Sequence, residues 1–459
     1  MVTNIDLGVI VAYIILMFVI ATVFSIGQGL DGFLVNKRGT KLALLVLTIV
    51  STNVGAGFFM SVAAEAYTTG ISFGIVIVVL SMMTCFVLAY FAPRIKALAD
   101  TGNIYTLPEF LGDSYRSRPV LLTSASIILI GYFFVTALQF VGIAAVSSVI
   151  TGFNFDRILI VSGVVTILYT AIGGIRSNIY ADAVSFVITV AIMVVVIPFI
   201  LSSDRVHLSQ LPSRYWNPFA FGGPSFFVLS IVFSTIGAFF FMELWQRIFA
   251  AESIQTARRA LLISAFVQPP FIISGLILGL VAASLFPSID KSAVIFRVFA
   301  EFLPTGLLGL GLVAVLAILM DTVNALVVVG GSTLVNDFYK VFRPNTSEKH
   351  LLFMARLFTL SFGAVSLLTA VFLPDIVKLL LMGAFLMMPM GPAIIGALAW
   401  KRKNAKAATA SMIVGFLATI LLIPKMPQTA FVPGFFISLV IYVVVSLTSK
   451  SFVTEGSSA

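Results

Sequence analysis

Ser51-Thr52-Asn53-Val54-Gly55-Ala56-Gly57-Phe58-Phe59-Met60 places a run of small and polar residues in the middle of an apolar stretch, 42–68. A second stretch, 225–249, nearly repeats it as Ser234-Thr235-Ile236-Gly237-Ala238-Phe239-Phe240-Phe241-Met242. In a bilayer, irregular backbone at depth is tolerated only where it faces a cavity, so both runs read as broken helices lining one site. The two lie five apolar spans apart. An odd number reverses direction across the membrane, which is the relation an inverted repeat of five helices requires. The competing reading is ordinary packing, because small residues and Phe also fill contacts between membrane helices.

The surrounding composition puts these runs in a membrane. Of 459 residues, 60% are apolar and 10% charged, against about 45–50% and roughly 25% in soluble domains. That excess supports on the order of a dozen crossing helices of ~20 residues each. With 43 Phe and 34 Gly in long unbroken apolar runs, the pattern favours helices over the ~10-residue alternation of a membrane barrel.

Apolar stretches bounded by Lys, Arg, Pro or Gly give thirteen spans: 5–26, 42–68, 72–93, 120–149, 157–175, 179–202, 225–249, 258–286, 305–341, 351–373, 376–400, 405–424 and 431–448. The first has no cleavage motif and reads as a retained span. The whole chain, 1–459, is expected to be one membrane domain. It comprises an extra N-terminal span (5–26), a first repeat (42–202), a second repeat (225–400) and two C-terminal spans (405–448). Placing the connections alternately on two sides puts twenty of the 27 Lys and Arg on one side and seven on the other. The positive-inside rule then sets the N-terminus outside and the C-terminus in the cytoplasm. The net charge of +9 is therefore topological. No basic run with interleaved aromatics calls for a nucleic-acid partner.

Acidic residues inside spans carry the next signal, since a carboxylate at mid-membrane costs roughly 2.5–3.5 kcal/mol even on the gentlest scale. Asp321 sits deep in the 305–341 span with Thr322 beside it, and no Lys or Arg is expected at comparable depth. It needs a proton, a bound cation or a cationic solute group; the alternative is a permanently protonated structural Asp. Asp182 reads equally as a second site or as a helix-start cap or partner of Arg176. Glu65 and Glu243 lie near span ends, where surface roles compete with gating, and Glu109 belongs to a cytoplasmic connection. His207 and His350 fall in polar connections. Cys85 is the single cysteine, which excludes a disulfide within the chain and a cysteine metal site.

Five pieces, in order, resemble the sodium:solute symporter family, which shares the LeuT-type five-plus-five inverted repeat. They are Thr106-Leu107-Pro108-Glu109-Phe110-Leu111; Gly173-Gly174-Ile175-Arg176 running to Asp182; Gln246-Arg247-Ile248-Phe249-Ala250-Ala251-Glu252-Ser253; Met320-Asp321-Thr322 through Ser332-Thr333-Leu334-Val335-Asn336-Asp337-Phe338-Tyr339-Lys340; and Trp400-Lys401-Arg402-Lys403-Asn404. The resemblance covers nearly the whole length and implies thirteen spans with an external N-terminus. It also implies a sodium site between the second and ninth spans. Backbone oxygens at Ser51, Val54 and Ile318 and side chains at Asp321 and Thr322 would form it. Thr322 fits, whereas Asp321 replaces the family's usual serine hydroxyl with a carboxylate that suits sodium or a proton. Asp182 matches an acidic position associated with ion coupling.

For the solute, Asn53, Gly55, Ala56, Gly57, Phe58, Phe240 and Phe241 form a compact, partly apolar site, with Gln139 as a polar contact. An apolar wall cannot satisfy several sugar hydroxyls. The expectation is a cation-coupled symporter, sodium first and proton second. It imports a small organic solute such as an amino acid or short carboxylate, as a monomer in the plasma (inner) membrane, without an organic cofactor. A channel would need a continuous polar stripe, a sensor a signalling domain, a primary pump a nucleotide loop and an enzyme clustered catalytic groups; none of these is legible.

Overall fold

The computed structural model describes residues 2–55, 58–426 and 429–449. Among them there is no strand, only an isolated parallel bridge between Thr40 and Ala251. The helices, in chain order, are α1 (Asn4–Ser25), α2 (Leu30–Val35), α3 (Leu42–Asn53), α4 (Phe59–Thr69), α5 (Ile71–Gly102), α6 (Leu107–Ser114), α7 (Arg118–Thr151), α8 (Phe155–Leu201), α9 (Gly223–Gly237) and α10 (Met242–Ala250). They continue with α11 (Ile254–Leu285), α12 (Val294–Phe302), α13 (Leu307–Thr333), α14 (Lys340–Phe342), α15 (Glu348–Phe372), α16 (Ile376–Met387), α17 (Gly391–Ala399), α18 (Ala405–Leu422) and α19 (Phe431–Thr448). A π-helical turn, Leu334–Tyr339, joins α13 to α14. Ten helical segments of the described chain are long and apolar enough to cross a membrane.

Both quoted runs break their helices. The first span divides into α3 and α4, with Val54 outside the helical region (φ −88°, ψ 58°). The second divides at Phe241 (φ −72°, ψ 76°), after a short 3-10 turn, into α9 and α10. Ala56 and Gly57, expected at the solute site, lie outside the described residues.

The expected spans 157–175 and 179–202 join into one helix, α8, of 47 residues. At 1.5 Å per residue it would be about 70 Å long, more than twice a bilayer core, were it straight. Gly174 takes φ 58°, ψ −158° and divides it. A Cβ there would stand 2.5 Å from the Phe33 ring, so only glycine admits the turn.

α13 is the central post, buried along its whole membrane window. Its start is tied to α1, whose N-cap Thr3 and Asp6 form a capping box. The second Asp6 oxygen accepts the amides of Gly306 and Gly309, both at 2.8 Å. On the outside, α1, α8, α18 and α19 expose Val11, Val19, Val194, Leu421 and Val440, the face that lipid would cover.

The basic ends of the two broken helices are joined. The Thr40 amide donates to the Ala250 carbonyl (3.0 Å) and the Glu252 amide to the Thr40 carbonyl (3.1 Å). These bonds hold the start of α3 against the end of α10, and α10 is buried from Met242 to Ala250.

Candidate functional site

When α3 ends at Asn53, the carbonyls of its last turn lose their helical partners. The Val54 amide still reaches the Val50 carbonyl (3.0 Å), and beyond the break the Phe58 and Phe59 amides both turn back to the Gly55 carbonyl (3.0 Å each). Two consecutive residues of α13 meet this end. The Asp321 Oδ2 accepts from the Ser51 hydroxyl. The Thr322 hydroxyl lies 3.3 Å from the Thr52 carbonyl and 3.2 Å from that of Ile318. A methyl group at Gly55 would stand 2.3 Å from the Thr322 Oγ1, so the approach needs glycine. Gly55 thus packs against Thr322, on the α13 side of the break.

Asp321 is fully buried and forms no ion pair among the described residues, and its Oδ1 has no partner. Next to this end of α3 lies a cavity of about 10 Å³, lined by Val50, Ser51, Val54, Phe186, Thr189, Phe271 and Ile318. It is large enough for about one water-sized occupant. The structure therefore brings Ser51, Val54 and Ile318 around one space. Thr189 of α8 joins them, its hydroxyl 3.4 Å from the Ala314 carbonyl.

Asp182 stands on the neighbouring face of α3. Its Oδ2 accepts from the Thr48 hydroxyl, from Thr52 Oγ1 (3.2 Å) and from Arg247 Nη2 (3.1 Å). In place of the expected Arg176 or helix start, Asp182 forms an ion pair with Arg247 in which both side chains are 0% exposed. A fully buried arginine thus stands among these helices, paired with Asp182 and not with Asp321. Arg247 falls near the end of the apolar stretch in sequence, and α10 carries it inward. Its Nε faces Thr48 Oγ1 (3.3 Å) and its Nη1 the Glu243 carbonyl (3.2 Å). Glu243, expected near a span end, is buried in the first turn after the second break and contacts the Tyr132 hydroxyl.

The expected solute residues fall into two groups. On one side the Asn53 amide bonds Gln268 of α11, which also reaches Cys85 Sγ (2.9 Å) and the Ser264 carbonyl (3.2 Å). Phe58 packs there against Val62, Ile77 and Ile272. On the other side Phe240 and Phe241 make the second break. The Tyr132 hydroxyl of α7 lies 3.2 Å from the Phe240 carbonyl and accepts the Met242 amide at 2.7 Å. Tyr132, Thr136 and Gln139 follow at i, i+4 and i+7, one face of α7. Thr136 Oγ1 and Gln139 Oε1 are buried without a partner. Sequence reading singles out Gln139 but not Tyr132 or Thr136, which share its face of α7 and whose helical spacing in an apolar run is there to be read.

At the basic end, Thr106 caps α6, which lies outside the membrane-spanning segments, and donates to Asp337 of the π-helical turn at 2.6 Å. Burial pushes the Glu109 carboxyl above its ordinary value, against the pull of Lys340 3.9 Å away.

Comparison with known proteins places this geometry. The chain is 24% identical over 424 residues to the sodium/pantothenate symporter of Escherichia coli (strain K12), covering 88% of each protein. It is 26% identical over 447 residues to the high-affinity proline transporter PutP of Bacillus subtilis (strain 168), covering 92% of this chain and 94% of that one. Among solved structures, a Na+-coupled sialic acid symporter in a substrate-bound, outward-open state superposes with a TM-score of 0.85 at 19% identity. That match covers 98% of this chain and 99% of that one. The nucleobase-cation-symport-1 family transporter Mhp1 in its inward-facing conformation gives a TM-score of 0.54 at 17% identity, covering 89% of this chain and 92% of that one. The LeuT-type fold is thereby established. The model of the sodium:solute symporter family matches residues 33–415, a range that takes in both breaks, the α13 post and the Asp182–Arg247 pair, and the chain belongs to that family.

Proposed function

We propose that the chain imports a small organic solute, such as an amino acid or short carboxylate, by alternating access driven by a monovalent cation. The observation that carries this reading is Asp321, fully buried with one oxygen on Ser51, the other outside normal hydrogen-bond distance of any partner, and no ion pair among the described residues, beside the point where the helical ladder of α3 stops. A carboxylate so placed is too costly to stand alone and suits a positive ion. Sodium is the first choice, held by the backbone oxygens of Ser51, Val54 and Ile318 with the Asp321 carboxylate and Thr322 hydroxyl. Ion binding there would fasten α3 to α13 and raise solute affinity, a reciprocal coupling of typically 1–3 kcal/mol. The proton is the second choice, since the same carboxyl takes it.

In this reading 42–202 and 225–400 are the two repeats, crossing the plasma (inner) membrane in thirteen spans with the Lys- and Arg-rich side inward, in a protein active as a monomer. Asn53, Phe58, Phe240 and Phe241 border the solute, and Thr136 and Gln139 supply its polar contacts. Names of relatives support small solutes, pantothenate and proline among them. Uptake into proteoliposomes with imposed sodium or proton gradients, across a panel of amino acids and carboxylates, tests the reading. A solute accumulated only under an inward sodium gradient supports sodium coupling, one accumulated only under an inward proton gradient supports the proton, and accumulation indifferent to both gradients ends it.

A further inference from the structure

Glu243 is a buried acid that the cation site does not use. It is 6% exposed, in the first turn after the second break. The basic residue nearest along the helix, Arg247, directs its guanidinium to Asp182, to Thr48 and to the Glu243 backbone carbonyl rather than to the Glu243 carboxyl. Titratable groups on the surrounding elements are engaged elsewhere. Lys96 binds Asp100 and the Phe249 carbonyl, Arg38 binds Asp100, Tyr105 binds Asp31, and Asp321 accepts from Ser51. What faces the carboxyl is the Tyr132 hydroxyl of α7.

The hydrogen bonds at Tyr132 fix where a proton belongs. Its oxygen receives the Met242 amide (2.7 Å) and lies within bonding distance of both the Phe240 carbonyl (3.2 Å) and Glu243. The phenol has one proton to give. If Glu243 carries a proton and donates it to the Tyr132 oxygen, the phenol proton is free for the Phe240 carbonyl, and the Met242 amide, the phenol, the Glu243 O–H and the Phe240 carbonyl each have a partner. If Glu243 is ionised, the phenol must turn to it. The Phe240 carbonyl then loses that donor at the unwound turn, and a second carboxylate stands buried while the nearby Arg247 guanidinium is committed to Asp182, Thr48 and the Glu243 backbone carbonyl.

We propose that Glu243 is a proton-binding site distinct from the Asp321 cation site. It holds one proton while the second break is packed on α7. When α10 moves away from Tyr132, the Glu243 O–H bond breaks and the proton passes to entering water. Uptake then acquires a pH dependence that does not arise at Asp321.

Infrared spectra of the purified full chain, as unsubstituted protein, Glu243→Gln and Tyr132→Phe, test this directly. Gln keeps a donor toward Tyr132 but has no carboxyl. The unsubstituted protein should show at neutral pH a protonated-carboxyl band that is missing from E243Q and shifted to higher frequency in Y132F, where its acceptor is gone. Spectra of E243Q that keep the band at full intensity overturn the proposal. Should E243Q fail to fold, an unshifted band in Y132F overturns it instead. In uptake assays, raising the external pH should depress transport by the unsubstituted chain, and E243Q should lose that fall. An identical pH profile in E243Q contradicts release during transport. The infrared result stands even if the solute or the driving ion is other than proposed above.

Discussion

Gly55 and Thr322 are in such close contact that a single added methyl on the glycine would stand 2.3 Å from the threonine hydroxyl and 2.9 Å from its Cβ. The break between α3 and α4 is therefore seated on α13 by the absence of a side chain. Replacing Gly55 by Ala should force the two elements apart, at an overpacking cost of about 1–3 kcal/mol. Sodium-stimulated uptake in proteoliposomes should fall about tenfold or more, that loss being about 1.4 kcal/mol of coupling or greater. Gly8→Ala, at a position with nothing within 4 Å of the new methyl, should match the unsubstituted chain. Equal uptake by G55A would show that the contact is not needed.

Arg247 and Asp182 tie α10 to α8, and through Thr48 and Thr52 to α3. Removing one partner of a buried pair leaves an uncompensated charge and costs about 3–5 kcal/mol. Arg247→Met should lower the melting temperature of the purified protein sharply, and Asp182→Asn in the same chain should recover much of the loss. A double variant no more stable than R247M would mean that the pair is not energetically coupled.

Thr106 does two tasks at the basic end, accepting the Glu109 amide (3.0 Å) as N-cap of α6 and donating to Asp337 (2.6 Å). Thr106→Ala gives up a cap worth about 1 kcal/mol. It also strips Asp337 of that bond, for about 1–3 kcal/mol more. Thr106→Ser keeps both contacts. Thermal melts should rank the unsubstituted chain and T106S together, with T106A lower; T106A melting with them would refute the double role.

The breaks are legible in the sequence because Gly and small polar residues add little to an unbroken helix in hydrocarbon, and α3/α4 and α9/α10 do separate at Val54 and Phe241. The partner of Asp182 is not legible. Arg247 lies near the end of its apolar stretch, and only the inward packing of α10 against α3 and α5 reveals that it is fully buried. The burial of Glu243 escapes sequence reading for the same reason, since distance along the chain from a span end says little about burial once the helix is broken. The division of α8 at Gly174 follows the two expected spans, but that a single residue with positive φ makes the turn depends on the Phe33 ring behind it. Thr189 joins the cavity from a helix whose sequence there, Phe186 to Thr189, carries no pattern distinguishing it from lipid-facing neighbours.

The claim beneath the whole account is that the Asp321 carboxylate holds the driving cation against the broken end of α3. The most direct measurement is cation-dependent solute uptake by Asp321→Ala in proteoliposomes, with folding checked by its melting temperature. The account predicts a folded protein whose uptake no longer responds to the cation gradient. Uptake stimulated to the same extent as in the unsubstituted chain would contradict it.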